Sequence, residues 1–295
     1  MAERWYRRRG WGGAVVAAAG LVAGGCVGAT GCSGAGAVGG GADGAGGAVA
    51  GGVDGRGGDA VRLVRGAADA LRETGSSKAR TSMEMATGGT RVTIRGEGVY
   101  DYRRQRGRLK VMLPQDPAGT SEHRPITELL APGALFMKHR GAGVPDDKWV
   151  RVETATLSDG NLVTGGATDP FAAAEVLRGA RTATYVGRTE VAGTAVRHYR
   201  GTADLAVAAE GASAGSKGAL AAAAKGFATA RVPFDVFLDD AGRIRKVRHR
   251  FSFVNGRQAE AVAVASTTLL YDFGAPADVR LPAARDIFAG RIAED

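Results

Sequence analysis

The sequence predicts an α+β domain in which one large, curved antiparallel β-sheet has a few helices covering its concave face. Three observations support this fold class. Most of the chain after residue 75 alternates apolar and polar residues, which is the pattern of strands with one buried face. Short turns join successive segments, as antiparallel hairpins require. Three segments have helical character instead, and they are the available cover for the apolar face of the sheet.

The first residues of the chain have the pattern of an export signal. Arg4 and residues 7–9 make a basic segment, and residues 11–29 carry no charge. Cys26 and Cys32 are the only cysteines of the 295 residues, and both follow small residues. This arrangement resembles a bacterial lipoprotein signal, in which the cysteine after small residues receives diacylglycerol. We therefore predict a signal peptide over residues 1–31 and lipidation of Cys32.

Two alternatives to a lipid on Cys32 stay open at this point. Cys26 also follows small residues, and it would leave a shorter apolar core in the signal peptide. Alternatively, the chain is cleaved and released without lipid, or an uncleaved segment retains it. With a lipid on either cysteine, the folded part lies at the extracytoplasmic face of the cell membrane.

Residues 32–58 are predicted to be a disordered tether. After the cysteine they are almost entirely Gly, Ala, Val and Asp, with Arg56 as the one basic residue, so they cannot bury enough apolar surface to fold. A flexible coil of this length reaches about 25–30 Å. Residues 59–295 then form one domain, because their number is sufficient for one sizeable core.

The first half of the domain is predicted as a helix followed by strands. Residues 59–72 place apolar side chains at helical spacing, with Asp59 as N-cap, and Gly75 ends the helix. Residues 126–132 are predicted as a short helical turn that Pro132 ends. The predicted strands, the last four of them in two hairpins, are 81–85, 91–102, 108–113, 134–138 and 148–152.

The second half is predicted as a helix, two strands, a second helix and a three-stranded meander. The first helix covers residues 169–177, with Asp169 as N-cap and Pro170 at the first helical position. The second, residues 216–227, is Ala-rich and is expected over an edge or end of the sheet. The predicted strands are 181–191, 195–205, 232–238, 243–254 and 259–273, the last two joined by the turn Asn255-Gly256.

The sequence predicts no enzyme active site, metal site or cofactor site. It contains no His-Glu-x-x-His or Ser-x-x-Lys pattern, and its Gly-x-Ser-x-Gly match, residues 211–215, does not directly follow a predicted strand. The acidic pairs lie at turns or at the chain end, where Asp is favoured for backbone reasons. The histidines are predicted to be solvated or to lie on strand faces, without metal-ligand spacing; they are His123, His139, His198 and His249.

The charge of the chain suits an anionic surface in the cell envelope. The formal net charge is +9, and near +6 remains once the basic signal is removed. A nucleic-acid partner is not expected outside the cytoplasm. Five basic residues lie between Arg243 and Arg250, and they are predicted to form a solvated outer face, with contact to anionic headgroups as the alternative.

Apolar positions on the predicted strands are candidates to line a ligand cavity. Alternation does not tell which face of a curved sheet is concave, so they are given as a set. The candidates are Val92, Ile94, Leu109, Val111, Leu113, Leu135, Met137, Val150, Val236, Phe251, Phe253, Val262 and Val264.

The order of these features resembles actinobacterial lipoproteins of the LppX/LprAFG type, which are relatives of the LolA-like half-barrel. The resemblance covers nearly all of the mature domain and consists of strand patterns and turns. It implies a curved antiparallel sheet around a hydrophobic cavity that takes lipids or lipoglycans in the cell envelope. The segments that carry it are 96–102, 169–171, 185–187, 198–201, 232–244, 271–274 and 281–282.

Two functions are expected from different classes, and neither is enzymatic. The first is a monomeric lipid-anchored protein that binds or carries a hydrophobic ligand. The alternative is an envelope scaffold or sensor that binds a protein partner without a lipid. A carrier predicts an open cavity lined by apolar side chains, whereas a scaffold predicts that this space is packed.

Overall fold

The computed structural model describes residues 52–87, 90–114, 124–141, 143–254 and 261–289. Side chains are described for residues 57–86, 91–114, 124–141, 143–252 and 262–289. The predicted signal peptide, both cysteines, His123 and the Asn255-Gly256 turn therefore lie outside the described residues. None of the described helices is long and apolar enough to cross a membrane.

The described strands form one antiparallel sheet, in the order β6-β5-β4-β3-β2-β1-β11-β10-β9-β8-β7. Their alternating side chains give the sheet an apolar inner face and a polar outer face. On β3, for example, Leu109 and Val111 are buried while Arg108 and Lys110 are exposed. The strands are β1 (Ser76–Thr87), β2 (Thr90–Asp101), β3 (Arg106–Met112), β4 (Ile126–Ala131), β5 (Ala134–Lys138), β6 (Trp149–Glu153), β7 (Ala180–Val191), β8 (Thr194–Asp204), β9 (Arg231–Leu238), β10 (Ile244–Val254) and β11 (Ala261–Tyr271).

Two meanders that meet at one seam build this sheet. Each strand from β1 to β6 pairs with the next in sequence, and so does each strand from β7 to β11. The seam is the pairing of β1 with β11, in register from Lys78 opposite Tyr271 to Ala86 opposite Ala263. The edges of the sheet are consequently β6 and β7.

The helices cover the inner face, as the predicted fold class requires. Helix α1 packs against β7, and α5 packs against α4 and the turn that follows edge strand β6. The position of α5 agrees with the predicted place near an edge or end of the sheet. The helices are α1 (Gly52–Arg65), α2 (Ala67–Thr74), α3 (Pro170–Val176), α4 (Leu205–Gly211) and α5 (Ala214–Gly226).

Three features of these helices differ from the prediction. Helix α1 begins at Gly52, so Asp59 is no N-cap; it lies inside the helix, 3.0 Å from Arg62. Gly66 separates α1 from α2, where one helix was predicted. Helix α4 was not predicted, since the strand before it was expected to run to Leu205. Asp204 accepts hydrogen bonds from the backbone N–H groups of residues 206 and 207, which favours a helix start.

The prediction for residues 126–132 was wrong, because they form strand β4 and not a helical turn. Ile126, Glu128 and Leu130 face the inner side, where all three are buried. Leu129 points to the outer side and is buried there too, against Val279. Burial on both faces removes the apolar-polar alternation by which a strand is recognised.

The last described segment, residues 272–289, covers part of the outer face. It leaves β11 beside Ser76, whose hydroxyl donates to the carbonyl of Ala275 at 2.7 Å. It ends at edge strand β6, where Ile287 forms a parallel bridge with Trp149. The sheet near β4 to β6 is therefore covered on both faces.

Candidate ligand-binding site

The connection between the two meanders must cross the sheet, because β6 and β7 are opposite edges. We call residues 154–179 the crossing connection. It contains a 3₁₀ turn at Thr154–Thr156, an irregular stretch, α3, and a second 3₁₀ turn at Leu177–Gly179. Asp169 caps α3 as predicted, accepting hydrogen bonds from the backbone N–H groups of residues 171 and 172 at 2.7 and 3.1 Å.

The irregular stretch contains a buried run, residues 161–168, which we call the inner segment. All of its residues are buried except Val163, which is half-buried. This is unusual, since loops ordinarily lie on the surface where water satisfies their backbone groups. Here the carboxylate of Asp159 satisfies backbone groups that water would satisfy at the surface. It accepts hydrogen bonds from the backbone N–H groups of residues 161, 163 and 164 at 2.6–3.0 Å.

The inner segment presents mainly small residues to the sheet. A Cβ added to Gly165 would lie 3.0 Å from the Glu128 carboxylate on β4, so the backbone is close to that side chain. A Cβ on Gly166 would lie 3.4 Å from Ile94 on β2 and from Val111 on β3.

The segment then continues toward the seam of the sheet. A Cβ added to Gly96 on β2 would lie 3.3 Å from the Cβ of Ala167. The hydroxyl of Thr168 lies 2.5 Å from the hydroxyl of Ser266 on β11. The inner segment therefore passes from β4 to β11 across the apolar inner face of the sheet, which we call the floor.

The structure places the described cavity candidates on this one face, in the main core. Val92 and Leu113 are half-buried, and the side chain of Phe253 lies outside the described part. The other candidates are buried, and Ile94, Leu109, Val111, Leu135 and Val236 have no accessible surface. A side chain that lines an empty cavity has accessible surface, so the floor under the inner segment is packed.

A pocket of about 240 Å³ opens at one end of this floor. Leu113, Ile126 and Val144 line it together with Arg140 and with Arg124, which pairs with Asp146 at 2.7 Å. Arg140 reaches from the pocket to the inner segment, where it donates to the carbonyls of Thr164 and Gly165 at 3.5 and 3.4 Å. The pocket thus joins an apolar wall to a cationic group beside the inner segment.

Two acidic groups on the inner side are shifted by burial. Burial raises the pKa of Glu128 to about 8, although the nearby Arg140 charge acts in the opposite direction. Burial also raises the pKa of Asp169 to about 6, although the hydrogen bonds from the N-terminus of α3 lower it. Glu128 is therefore largely protonated at neutral pH, which agrees with its position on an apolar floor.

Two of the remaining polar candidates, His198 and Asp239, have structural partners. His198 lies 2.8 Å from Asp235 on the outer face, and Arg200 and Arg250 each reach the same carboxylate at 2.9 Å. Asp239 accepts from two backbone N–H groups in its turn and from Arg243. In the described part of the chain, no three His, Cys, Asp or Glu side chains lie close enough to hold a metal ion.

Sequence reasoning missed the inner segment. Its residues have neither the strand pattern nor the helix pattern, so no element was predicted between the strand at 148–152 and the helix at 169–177. A usable signal exists, because residues 160–168 carry no charge in a chain in which 23% of residues are charged. An uncharged stretch rich in Gly and Thr that is neither helix nor strand indicates a buried connection.

The comparisons with known proteins concern the fold. No family model and no curated protein matches the chain. Lipoprotein LppX of Mycobacterium tuberculosis is similar in structure, with a TM-score of 0.46 and 11% identity over 75% of this chain and 98% of that chain. LprF from Mycobacterium bovis gives a TM-score of 0.40 and 15% identity, over 77% and 98%.

A third similar structure is a putative outer membrane lipoprotein-sorting protein domain from Vibrio parahaemolyticus. Its TM-score is 0.29, with 9% identity over 72% of this chain and 91% of that chain. The predicted fold class, one open antiparallel sheet with few helices, is confirmed. Two of these similar structures are mycobacterial lipoproteins of the type that the sequence pattern resembles.

Proposed function

We propose that the protein is a membrane-anchored extracytoplasmic lipoprotein that binds or carries a lipid or lipoglycan on the inner face of its sheet. The observation that carries the proposal is the inner segment. It occupies the apolar floor with residues such as Gly165, Gly166 and Ala167, which contribute little side-chain contact. A ligand with an acyl chain would make more apolar contact with the sheet than these small residues do.

Energetic reasons favour this exchange. Each methylene that leaves water for an apolar floor contributes about 0.8 kcal/mol, so an acyl chain of ordinary length gains several kcal/mol. Displacing the inner segment gives up fewer apolar contacts than displacing large side chains would. Arg140 in the pocket would then bind an anionic part of the ligand, which would release this side chain from the segment's carbonyls. This function involves no chemical reaction.

One observation favours the scaffold alternative. The floor is packed, as expected for a protein that binds no lipid, and residues such as Leu109 and Val236 have no accessible surface. In that case the inner segment is a permanent part of the core, and the sheet would offer its outer face to a protein partner.

Native mass spectrometry of the mature protein purified from membranes distinguishes the two functions. We expect a stoichiometric lipid on the folded protein, which organic extraction would release for identification. A mass without ligand that stays unchanged after incubation with an envelope lipid extract would refute the carrier. The search would then move to protein partners.

A further inference from the structure

Four polar side chains interrupt the apolar floor near the seam of the sheet, and we call them the polar patch. They are Thr81 on β1, His249 on β10, and Ser266 and Thr268 on β11. Thr81 is opposite Thr268 in the register, and Ser266 is opposite His249. All four are at most 5% exposed, so they belong to the interior and not to the rim.

Most of the polar patch is not satisfied by the protein. The hydroxyls of Thr81 and Thr268 and the Nε2 atom of His249 have no hydrogen-bond partner within the residues that the structure describes. Burying such groups unpaired is costly, and three of them in one place require an explanation.

The one patch hydroxyl with a partner is satisfied by the inner segment. Ser266 shares a hydrogen bond with Thr168 at 2.5 Å, and the Thr168 hydroxyl donates to the carbonyl of Leu162 at 2.8 Å. Thr168 therefore places a hydroxyl group on the patch, at the end of the path that the segment follows across the floor.

The chemistry of the patch selects a neutral ligand group. Three members are hydroxyls, which both donate and accept. The fourth is an imidazole in contact with the Phe251 ring, and burial lowers the pKa of His249 to about 3, so it stays neutral. A carboxylate or phosphate placed here would lack a counter-charge, whereas a hydroxyl or an ester carbonyl would complete hydrogen bonds at little desolvation cost.

We propose that the polar patch binds a neutral oxygen, a hydroxyl or an ester carbonyl, that lies part way along an otherwise apolar lipid. When the inner segment moves aside, this oxygen pairs with the Thr81 and Thr268 hydroxyls, which the Thr168 hydroxyl leaves without a partner. The inference rests on the proposed function and makes it more specific, since it requires an oxygen within the apolar part of the ligand.

Three probes of equal carbon number test the inference on the mature protein. They are hexadecane, hexadecan-7-ol and heptyl nonanoate, delivered from cyclodextrin, with affinity read from displacement of a fluorescent naphthylamine. Thr268→Val removes the hydroxyl and keeps the side-chain shape. We expect the affinity of at least one oxygenated probe relative to hexadecane to fall about tenfold in this variant, and the probe that responds identifies the oxygen as hydroxyl or ester.

Thr267→Val is the matched control, because Thr267 is the neighbouring residue and faces the other side of the sheet. It should leave the affinity ratios unchanged. Thr268→Val should also raise Tm by roughly 2–4 °C, because it removes an unpaired buried hydroxyl, and this excludes loss of folding as the cause of the changed ratio.

Two negative outcomes are distinguishable. If hexadecane binds and Thr268→Val leaves both ratios at the wild-type values, the polar patch does not recognise the ligand oxygen, while the proposed function stands. If none of the three probes displaces the fluorophore, both the inference and lipid binding are overturned.

Discussion

At the scale of one residue, Glu128 shows how the crossing connection buries a polar side chain of the sheet. It lies on β4 among apolar neighbours, and the inner segment covers it completely. Neither carboxylate oxygen has a hydrogen-bond partner in the described part of the protein. The charged groups that influence it are Arg140, which lowers its pKa, and Asp169, which raises it. Protonation of Glu128 is therefore coupled to its burial beneath the inner segment.

This coupling predicts a pH dependence of stability. The pKa of Glu128 is about 8 in the folded protein, against 4.5 for an unperturbed glutamate. The folded state therefore binds this proton more tightly than the unfolded chain does. The free energy of unfolding should then fall as pH rises from 4.5 to 8, by at most about 1.4 kcal/mol per pH unit. Urea unfolding between pH 6.5 and 8 measures this, and Glu128→Gln should remove most of the slope.

The other shifted groups contribute little above pH 7 and contribute equally to the wild type and to Glu128→Gln, so the difference between the two slopes isolates Glu128. The lowered pKa of His249 makes the protein less stable as pH falls below 6.5, and the raised pKa of Asp169 acts below about pH 6. Glu97→Gln, on the exposed face of β2, is the matched control and should keep the wild-type slope. Equal slopes in the wild type and in Glu128→Gln would contradict the assignment.

Single residues were predictable where their role is local. Asp169 as a helix cap and Asp239 in a turn follow from neighbouring residues alone, and the structure places both as expected. The polar patch was not predictable, because Thr81 meets Thr268 only through the pairing of β1 with β11. Nothing in the sequence near either threonine gives that register.

At the scale of elements, the crossing connection explains why an irregular segment is buried. The chain has to pass from one edge of the sheet to the other, and the inner face is the side that needs cover. If the inner segment moves aside for a ligand, fixing it to the floor should prevent binding.

A disulfide between Gly96→Cys and Ala167→Cys tests this. Their Cβ atoms would be 3.3 Å apart, close to disulfide geometry, although the Thr81 hydroxyl must rotate away. The folded part has no other cysteine. We expect the oxidised variant to lose lipid uptake in native mass spectrometry and a reductant to restore it.

The two single cysteine variants are the controls for this experiment, since neither can form the bond within one chain. Both should take up lipid under oxidising and reducing conditions alike. Equal uptake by the oxidised and reduced double variant would mean that the ligand binds without moving the inner segment.

At the scale of elements, strands were predictable from the sequence where one face of the sheet is exposed to solvent. The hairpin β2-β3 follows from alternation and is present in the structure. The hairpin β5-β6 is present too, although β5 is buried on both faces. Strand β4 was missed because Leu129 and Leu130 are buried on opposite faces. The local pattern contained no information about the C-terminal segment that covers Leu129.

At the scale of the whole molecule, the fold class was predictable because nearly every strand pairs with its neighbour in sequence. The seam is the exception, and it decides the strand order and the two edges. Local patterns do not reveal it, since β1 and β11 lie at opposite ends of the domain. The crossing connection and the packed floor follow from the seam, so they were missed with it.

The proposed anchor predicts where the whole protein is found. Cys32→Ala should release the chain from the membrane fraction, since the thiol that would carry the lipid is removed, while Cys26→Ala should leave it there. Fractionation followed by an alkaline wash measures this. The reverse result would assign the lipid to Cys26, and retention of the variant that lacks both cysteines would contradict a lipid anchor.

The pairing of β1 with β11 also affects how the protein folds while it is being synthesised. Hairpins close within microseconds, but β1 finds its second partner only when β11 is available, nearly two hundred residues later. Until then the strand at the centre of the finished sheet is an open edge, which is the kind of surface that pairs with other chains. Lys78, Arg80 and Glu84 on its outer side place charges along that edge, and such charges are how natural sheets discourage aggregation before the last strand arrives.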